Sequence, residues 1–469
     1  MKTWKRPNVL LLYTDQQRID TLSYCQDIAI QTPNLDALAA EGAYLENYFV
    51  NNPVCSPSRM SFLTGRYCSS LGVGTNGIAF PENAVPLNQL LKPYGYDTAQ
   101  IGKLHFDPHA KRDHKDPTST YGFDTFILSD EPGCYDDAYT KWVEMMAPGQ
   151  VEKIRTSLPP AAYRYNKPEY STVPRETHEP YIFEGDADYT HQSFVTSEIV
   201  QYIRTRDNNK PFFAIAGYYA PHPPINPLKE YVDKVDFSKI KPPVLGENEK
   251  FSNLLKDVTP EKWIETRAYY LALVAELDDF VGEVIKALKE KGLYDDTIIV
   301  FTSDHGEFLG DHGRIQKGMP GHDCITHVPF IIKYAKEIKP GTVINSLTEA
   351  VDFVPTVLDF CGVQIPRYVQ GKSMRKLLRG ETQEHKQNVL TEFFDPYGFR
   401  QATIRTDRYK YYSNNRGEEI LFDLEKDPNE LTNCVSDESY RDVLSDLRHQ
   451  MVIRLMDSAF PNLEQTAEY

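Results

Sequence analysis

The sequence predicts an α/β fold: a large, mostly parallel, doubly wound sheet with flanking helices, then a smaller C-terminal antiparallel sheet with a helix. Three observations carry this reading. Continuous apolar runs at residues 8–14 and 297–302 end in Asp15-Gln16 and in Ser303-Asp304-His305, as buried parallel strands do where their carboxyl ends meet a ligand. Strand patterns at 97–101, 212–217 and 297–302 alternate with helical patterns near 190–205 and 262–290. Near residue 366 the character changes to short alternating segments. The 469 residues suit one large domain, 1–365, with an appended α+β subdomain, 366–469.

Taken in order, residues 8–14 form the first buried strand. Residues 32–42 read as a helix with Pro33 at its start and Gly42 at its end. Cys55-Ser56-Pro57-Ser58-Arg59 begins another helix, because a first-turn proline loses no needed N–H. That places Cys55 where free N–H groups and the macrodipole favour anions. Arg59, one turn on, is expected to face the same side and offer a bidentate donor to a tetrahedral anion. Residues 130–190, rich in Tyr, Pro and Glu with weak periodicity, read as a long insertion over the site, and 223–260 as a second irregular stretch. Residues 401–405, 409–413 and 419–423 read as short antiparallel strands, followed by a helix near 438–457.

Composition removes several function classes. Hydrophobic residues make up 41% and charged residues 25%, a globular balance, and no apolar run reaches the length of a membrane span. The net charge of −16 argues against nucleic-acid or anionic-membrane partners, so an anionic substrate needs local positive charge. Seven scattered cysteines without C-x-x-C spacing indicate neither a disulfide framework nor a zinc cluster. The run at 9–13 is too short for a signal-peptide core and lacks a small-residue cleavage site, so a cytoplasmic location is expected.

The two strand ends, Asp15-Gln16 and Asp304-His305, are expected to meet at one divalent ion. Carboxylate and carboxamide oxygens with one imidazole suit Ca²⁺ first, with Mn²⁺ or Mg²⁺ as alternatives. Either aspartate alone would read as a turn former; the pair, each at an apolar strand end, reads as a metal site. Basic groups complete the pocket. Lys103 and His105 follow the 97–101 strand, and alternation in an extended segment points both to one side. His222 is held between Pro221 and Pro223, and Lys317 follows the Asp304-His305 pair. Asn76 is a further substrate-binding candidate. His109, His114, His312, His322 and His327 receive no role, the last two being candidates for the substrate side.

The stretch Cys55–Arg66 reads C-x-P-S-R-x-x-x-L-T-G-R, which resembles the signature of the type I sulfatases of the alkaline phosphatase superfamily. Residues 95–105 match that family's G-Y-x-T-x-x-x-G-K-x-H segment, and residues 405–411 its closing R-T-x-x-Y-K-Y run. The resemblance implies an alkaline phosphatase-like fold and hydrolysis of a small sulfate ester, such as a sulfated carbohydrate. It implies that a maturation enzyme converts Cys55 to formylglycine, whose hydrate attacks sulfur. It assigns the cation to Asp15, Gln16, Cys55, Asp304 and His305. Arg59 and Lys103 would stabilise the hydrate, and His222 and Lys317 would hold the sulfate and protonate the leaving alcohol. His105 would take the last hydroxyl proton to expel sulfate. Many members carry Asp-Asp and Asp-Asn at the two pairs. The Asp-Gln and Asp-His found here occur in a subset that includes choline sulfatase and phosphonate monoester hydrolases. Cleavage of phosphonate monoesters or phosphodiesters is therefore the alternative activity.

Overall fold

The computed structural model describes residues 6–24, 26–108, 119–134, 136–155 and 179–460. Its centre is an eight-stranded sheet. The strands run in the order Thr125–Leu128, Asp97–Gly102, Phe212–Pro221, Asn8–Asp15, Thr297–Ser303, Phe330–Lys333, Ala43–Leu45, Thr342–Ile344. From Thr125–Leu128 to Thr297–Ser303 every pairing is parallel, and Phe330–Lys333 alone runs against its neighbours.

Alternation along the first strand explains why both faces are covered. Val9, Leu11 and Tyr13 pack on one side with Met60, Phe62 and Leu63 of the Cys55–Thr64 helix and with the Phe353–Phe360 helix. Leu10 and Leu12 pack on the other with the His191–Thr205, Pro260–Glu290 and Pro33–Glu41 helices. The doubly wound reading holds for this reason. The Pro260–Glu290 helix starts where Thr259 accepts from the Lys262 amide and Pro260 fills the first turn.

The second sheet is four-stranded and antiparallel: Val389–Phe394, Arg400–Arg405, Tyr409–Asn414, Glu419–Asp423. The Arg441–Ala459 helix covers it through Leu444, Leu447 and Met451. Its link to the rest of the molecule combines apolar contacts of Tyr67 and Val351 with a polar hub. Fully buried Glu349 accepts from Arg454, Tyr67 and Lys386 at 2.5–2.6 Å and from the Leu390 amide at 3.0 Å.

Several short strands were not expected: Ala43–Leu45, Thr125–Leu128, Phe330–Lys333, Thr342–Ile344 and Val389–Phe394. The 130–190 segment also opens on an unexpected helix, Ala138–Met146, whose first amides are capped by Asp137. Residues 135 and 156–178 of that segment lie outside the described residues. Among the described residues no helix is long and apolar enough to cross a membrane.

Glu276, on the Pro260–Glu290 helix, is buried between the Gln192 carboxamide (3.3 Å) and the Leu228 amide (3.2 Å). Burial pushes its carboxyl up from 4.5 to about 8. A carboxyl raised on folding stabilises through its protonated form, fully below the unfolded value and progressively less as pH rises through the folded one. Stability should therefore fall between about pH 5 and pH 8, by up to about 1.4 kcal/mol per unit. Glu276→Gln should remove that slope, read as the pH dependence of the urea midpoint of variant and wild type.

Candidate active site

One register places the acidic centre. Thr14 pairs with Ser303 on adjacent parallel strands, so Asp15 and Asp304 leave the sheet side by side, both fully buried. Asp15 also pairs with Pro221 on its other flank, which brings His222 to the same rim. A third approach comes from Gly102 and Gly217, paired across the sheet. A Cβ on Gly102 would meet the Gly217 oxygen at 2.1 Å, and one on Gly217 would meet the Lys103 oxygen at 2.2 Å. This close passage delivers Lys103 to Asp15, with which it forms a buried ion pair, its ammonium 4.6 Å above the Tyr219 ring.

The Cys55–Thr64 helix covers the centre. Its N-terminus is held by Asn52, which accepts from the Val54 amide (2.9 Å), and by Asn76, which accepts from the Ser56 amide (3.0 Å). Cys55 is buried, its sulfur 3.1 Å from His305 Nε2 and 3.9 Å from Asp15 Oδ1. Burial and Asp15 push its thiol up, but Lys317, His305 and Lys103 outweigh them and hold it below its ordinary value. Arg59 departs from expectation. Its Nε donates to Asp304 Oδ2 at 2.6 Å, and its remaining nitrogens reach the Thr14 and Lys103 carbonyls and Asp15. The guanidinium lies 4.5 Å over the Tyr13 ring and locks the two aspartates together instead of opening a fork towards an anion.

The donor set fits a divalent cation. Ligand atoms of Asp15, Cys55, Asp304 and His305 lie within 4.8 Å of one another. His305 Nδ1 donates to the Gly306 carbonyl at 2.8 Å, which leaves the Nε2 lone pair aimed at the carboxylates, 3.7 Å from Asp15 and 3.8 Å from Asp304. Burial lowers the proton affinity of this ring, but Asp304 and Cys55 raise it further, so the cluster attracts positive charge. Burial likewise raises the Asp15 carboxyl, and Lys103, His222, Lys317 and Arg59 together hold it well below the carboxylate range.

Gln16 stands at the rim with φ 67, its amide bonded to Asp304 Oδ1 at 3.1 Å. Its carboxamide is oriented from both ends: Nε2 donates to Glu307, and Oε1 accepts from Lys317 Nζ at 2.8 Å. Lys317 also donates to His222 Nε2 at 2.9 Å, while His222 Nδ1 donates to the Pro223 carbonyl at 2.7 Å. Burial, Lys317 and Lys103 hold His222 well below its ordinary value, despite Asp15. The pair thus carries its mobile proton on Lys317, with neutral His222 as acceptor. Both are only half-buried, unlike the acidic centre. Beside them lies a cavity of about 40 Å³ lined by His191, Tyr139, Phe183 and Tyr219.

His105 is the second departure. The strand ends at Gly102 with φ 88, and His105 itself has φ 61, so extended alternation does not carry Lys103 and His105 to one side. Asp130 fixes the turn by accepting from the Leu104 and His105 amides at 2.8 and 2.9 Å. Glu307, Asp130, Tyr13 and Tyr219 went unnoticed in the sequence; Glu307 alone had a signal, standing three residues after Asp304. His327 stacks on Phe49, and His322 stacks on His312. His109 and His114 lie outside the described residues.

Comparison with known proteins adds the family. The Sulfatase family model matches residues 7–363, and a model for the C-terminal part of N-sulphoglucosamine sulphohydrolase matches 310–456. An arylsulfatase of Clostridium perfringens is 31% identical over 480 residues, covering 96% of this chain and 94% of its own. An N-acetylglucosamine-6-O-sulfatase of Bacteroides thetaiotaomicron is 28% identical, covering 93% of this chain and 84% of its own. The crystal structure of a phosphonate monoester hydrolase of Agrobacterium radiobacter superposes with a TM-score of 0.78 at 26% identity, over 96% of each chain. Matches that run nearly end to end admit one conclusion: the chain belongs to the sulfatase family of the alkaline phosphatase superfamily and is a sulfuric ester hydrolase.

Proposed function

We propose that this hydrolase cleaves a small sulfate ester, a sulfated carbohydrate or close relative, through formylglycine generated from Cys55 by a maturation enzyme. The observation that carries the reading is the placement of Cys55 at a buried helix start, 3.1 Å from His305 and against Asp15. The metal would be one divalent ion, Ca²⁺ before Mn²⁺ or Mg²⁺, held by Asp15, Gln16, Asp304, His305 and the modified residue 55. Such an ion supplies charge stabilisation at the sulfate oxygens and eases deprotonation of a neighbouring hydroxyl.

The chain's own groups divide the remaining work. Lys103 neutralises Asp15 and faces the charge that develops at position 55. Arg59 acts as a positioning residue, holding Asp15 and Asp304 in register. Lys317 and His222, at the half-buried rim, would bind the sulfate and pass a proton to the departing alcohol, with Asn76 near the helix start. His105 would accept the proton whose loss expels sulfate. A short substrate is part of the same reading, since the segment 130–190 lacks the lysine-arginine runs expected of a groove that tracks a polyanion. A cytoplasmic location belongs to the same reading, supported by scattered cysteines without C-x-x-C spacing.

Phosphonate or phosphodiester cleavage stands second, supported by the Asp-Gln and Asp-His pairs and by the phosphonate hydrolase likeness. Turnover of an aryl sulfate, a phosphonate monoester and a phosphodiester should separate the two, with the aryl sulfate fastest in kcat/KM. Preference for either phosphorus ester by tenfold or more would reverse the assignment. In the same preparation, peptide mass analysis should find formylglycine at position 55; full activity with unmodified Cys55 would defeat the mechanism.

His222→Ala and Lys317→Ala should slow alkyl sulfates at least tenfold more than nitrophenyl sulfate, because an alkoxide needs a proton as it leaves and nitrophenolate scarcely does. Equal losses on both substrates would leave the pair as sulfate binders alone.

A further inference from the structure

Side chains hold the turn that follows the first strand. The Gln16 amide donates to Asp304 Oδ1 at 3.1 Å, the Gln17 amide to Ser303 Oγ at 2.9 Å and the Arg18 amide to the Tyr270 hydroxyl at 3.1 Å. That hydroxyl in turn donates to the Gln16 carbonyl at 2.6 Å. Ser303 ends the Thr297–Ser303 strand and Asp304 follows it, whereas Tyr270 arrives from the Pro260–Glu290 helix and is fully buried. One phenol thus spans both ends of the turn, as donor at residue 16 and acceptor at residue 18.

Gln16 needs such a brace. Its φ of 67 lies in the left-handed region, which a residue with a Cβ adopts only where its surroundings hold it there. The turn sets where the carboxamide points, between Glu307 and Lys317. Beyond it, Arg18 Nη1 ties the turn to the loop after Asp304, donating to the Glu307 and Phe308 carbonyls at 2.9 and 3.3 Å and to Asp311 at 2.8 Å. The helix behind Tyr270 is a fixed post. Asp278, two turns on, accepts from the Asn34 and Leu35 amides at 3.0 and 2.8 Å, and Tyr270 itself packs in one apolar cluster with Leu273, Val274 and Leu309. Burial pushes the Tyr270 hydroxyl well above its ordinary value, so it keeps the proton it donates.

We propose that Tyr270 is a positioning residue for the metal centre: its hydroxyl holds Gln16 in the left-handed turn that presents the carboxamide beside Asp15 and Asp304. The proposal rests on the reading that Gln16 is a metal ligand. Without the hydroxyl, a buried carbonyl and a buried amide lose their shared partner, and the turn relaxes towards an ordinary φ. The carboxamide then leaves its place, while Asp15 and Asp304, each fixed by its own strand, keep theirs.

The test uses the full chain, stripped with a chelator and titrated with Mn²⁺, the free ion being read by electron paramagnetic resonance. Gln16→Ala and Tyr270→Phe should each weaken Mn²⁺ by about tenfold or more. The double variant should bind within about threefold of Gln16→Ala, because Tyr270 acts through Gln16. A merely structural role would lower the urea midpoint of Tyr270→Phe and leave the Mn²⁺ affinity of the folded protein as in wild type, which would overturn the proposal. Losses that multiply in the double variant would overturn it too. Unchanged affinity in Gln16→Ala would strike the ligand reading first, and this proposal with it. Coupling of this kind is reciprocal, so Ca²⁺ should slow hydrogen exchange across residues 16–18 of the wild type by about threefold or more. That measurement decides should Tyr270→Phe not fold, with unchanged exchange counting against the proposal.

Discussion

Two aspartates side by side in a sealed space set the terms for the rest of the molecule. Asp15 and Asp304 leave neighbouring parallel strands at matched positions, with no exposure to solvent. Two such charges cost far too much unless compensated on the spot. Arg59 and Lys103 supply that compensation, and each is delivered by a separate structural device: a helix start for one, a glycine-glycine crossing for the other. Two cations thus face two carboxylates, and Cys55 and His305 complete the cluster around them. Moving any one of these charges alone would strand its partner in a low-dielectric interior.

The long buried strands were legible because burial on both faces writes an unbroken apolar run, as at Asn8–Asp15 and Thr297–Ser303. Ala43–Leu45 and Phe330–Lys333 were not, since three or four residues are too few to display a period. Within the site, Asp15, Asp304 and Cys55 could be read from where they stand on their elements. The direction of Arg59 could not, because helical spacing fixes the face but not what another strand brings to it. The alternation argued for Lys103 and His105 failed for a local reason: Gly102 turns the chain at φ 88, and alternation stops there. Glu307 and Tyr219 act only through residues far off in sequence, and spacing carries no trace of such partners.

The smaller sheet is more than an appendage. Its first strand reaches the loop ahead of Cys55, where Asn52 donates to the Glu392 carbonyl at 2.8 Å and the Ser69 amide to the Glu392 carboxylate at 3.1 Å. Glu349, gathering Arg454, Tyr67 and Lys386, joins the last helix to the segment that backs the Cys55–Thr64 helix. The helix that presents Cys55 is thus clamped from the opposite end of the chain.

Complete enclosure of Cys55, 1% exposed, sets a timetable for its proposed conversion. An enzyme that must grip the chain around Cys55 has no access once that helix has docked beneath Asp304 and His305. Those covering residues arrive late, for Cys55 and His305 are 250 residues apart. At synthesis rates of roughly 5–20 residues per second, the segment stays open for on the order of 10–50 seconds. The length of chain between Cys55 and the residues that cover it would then act as a clock for the proposed maturation, with the order of the strands along the chain setting how much time it has.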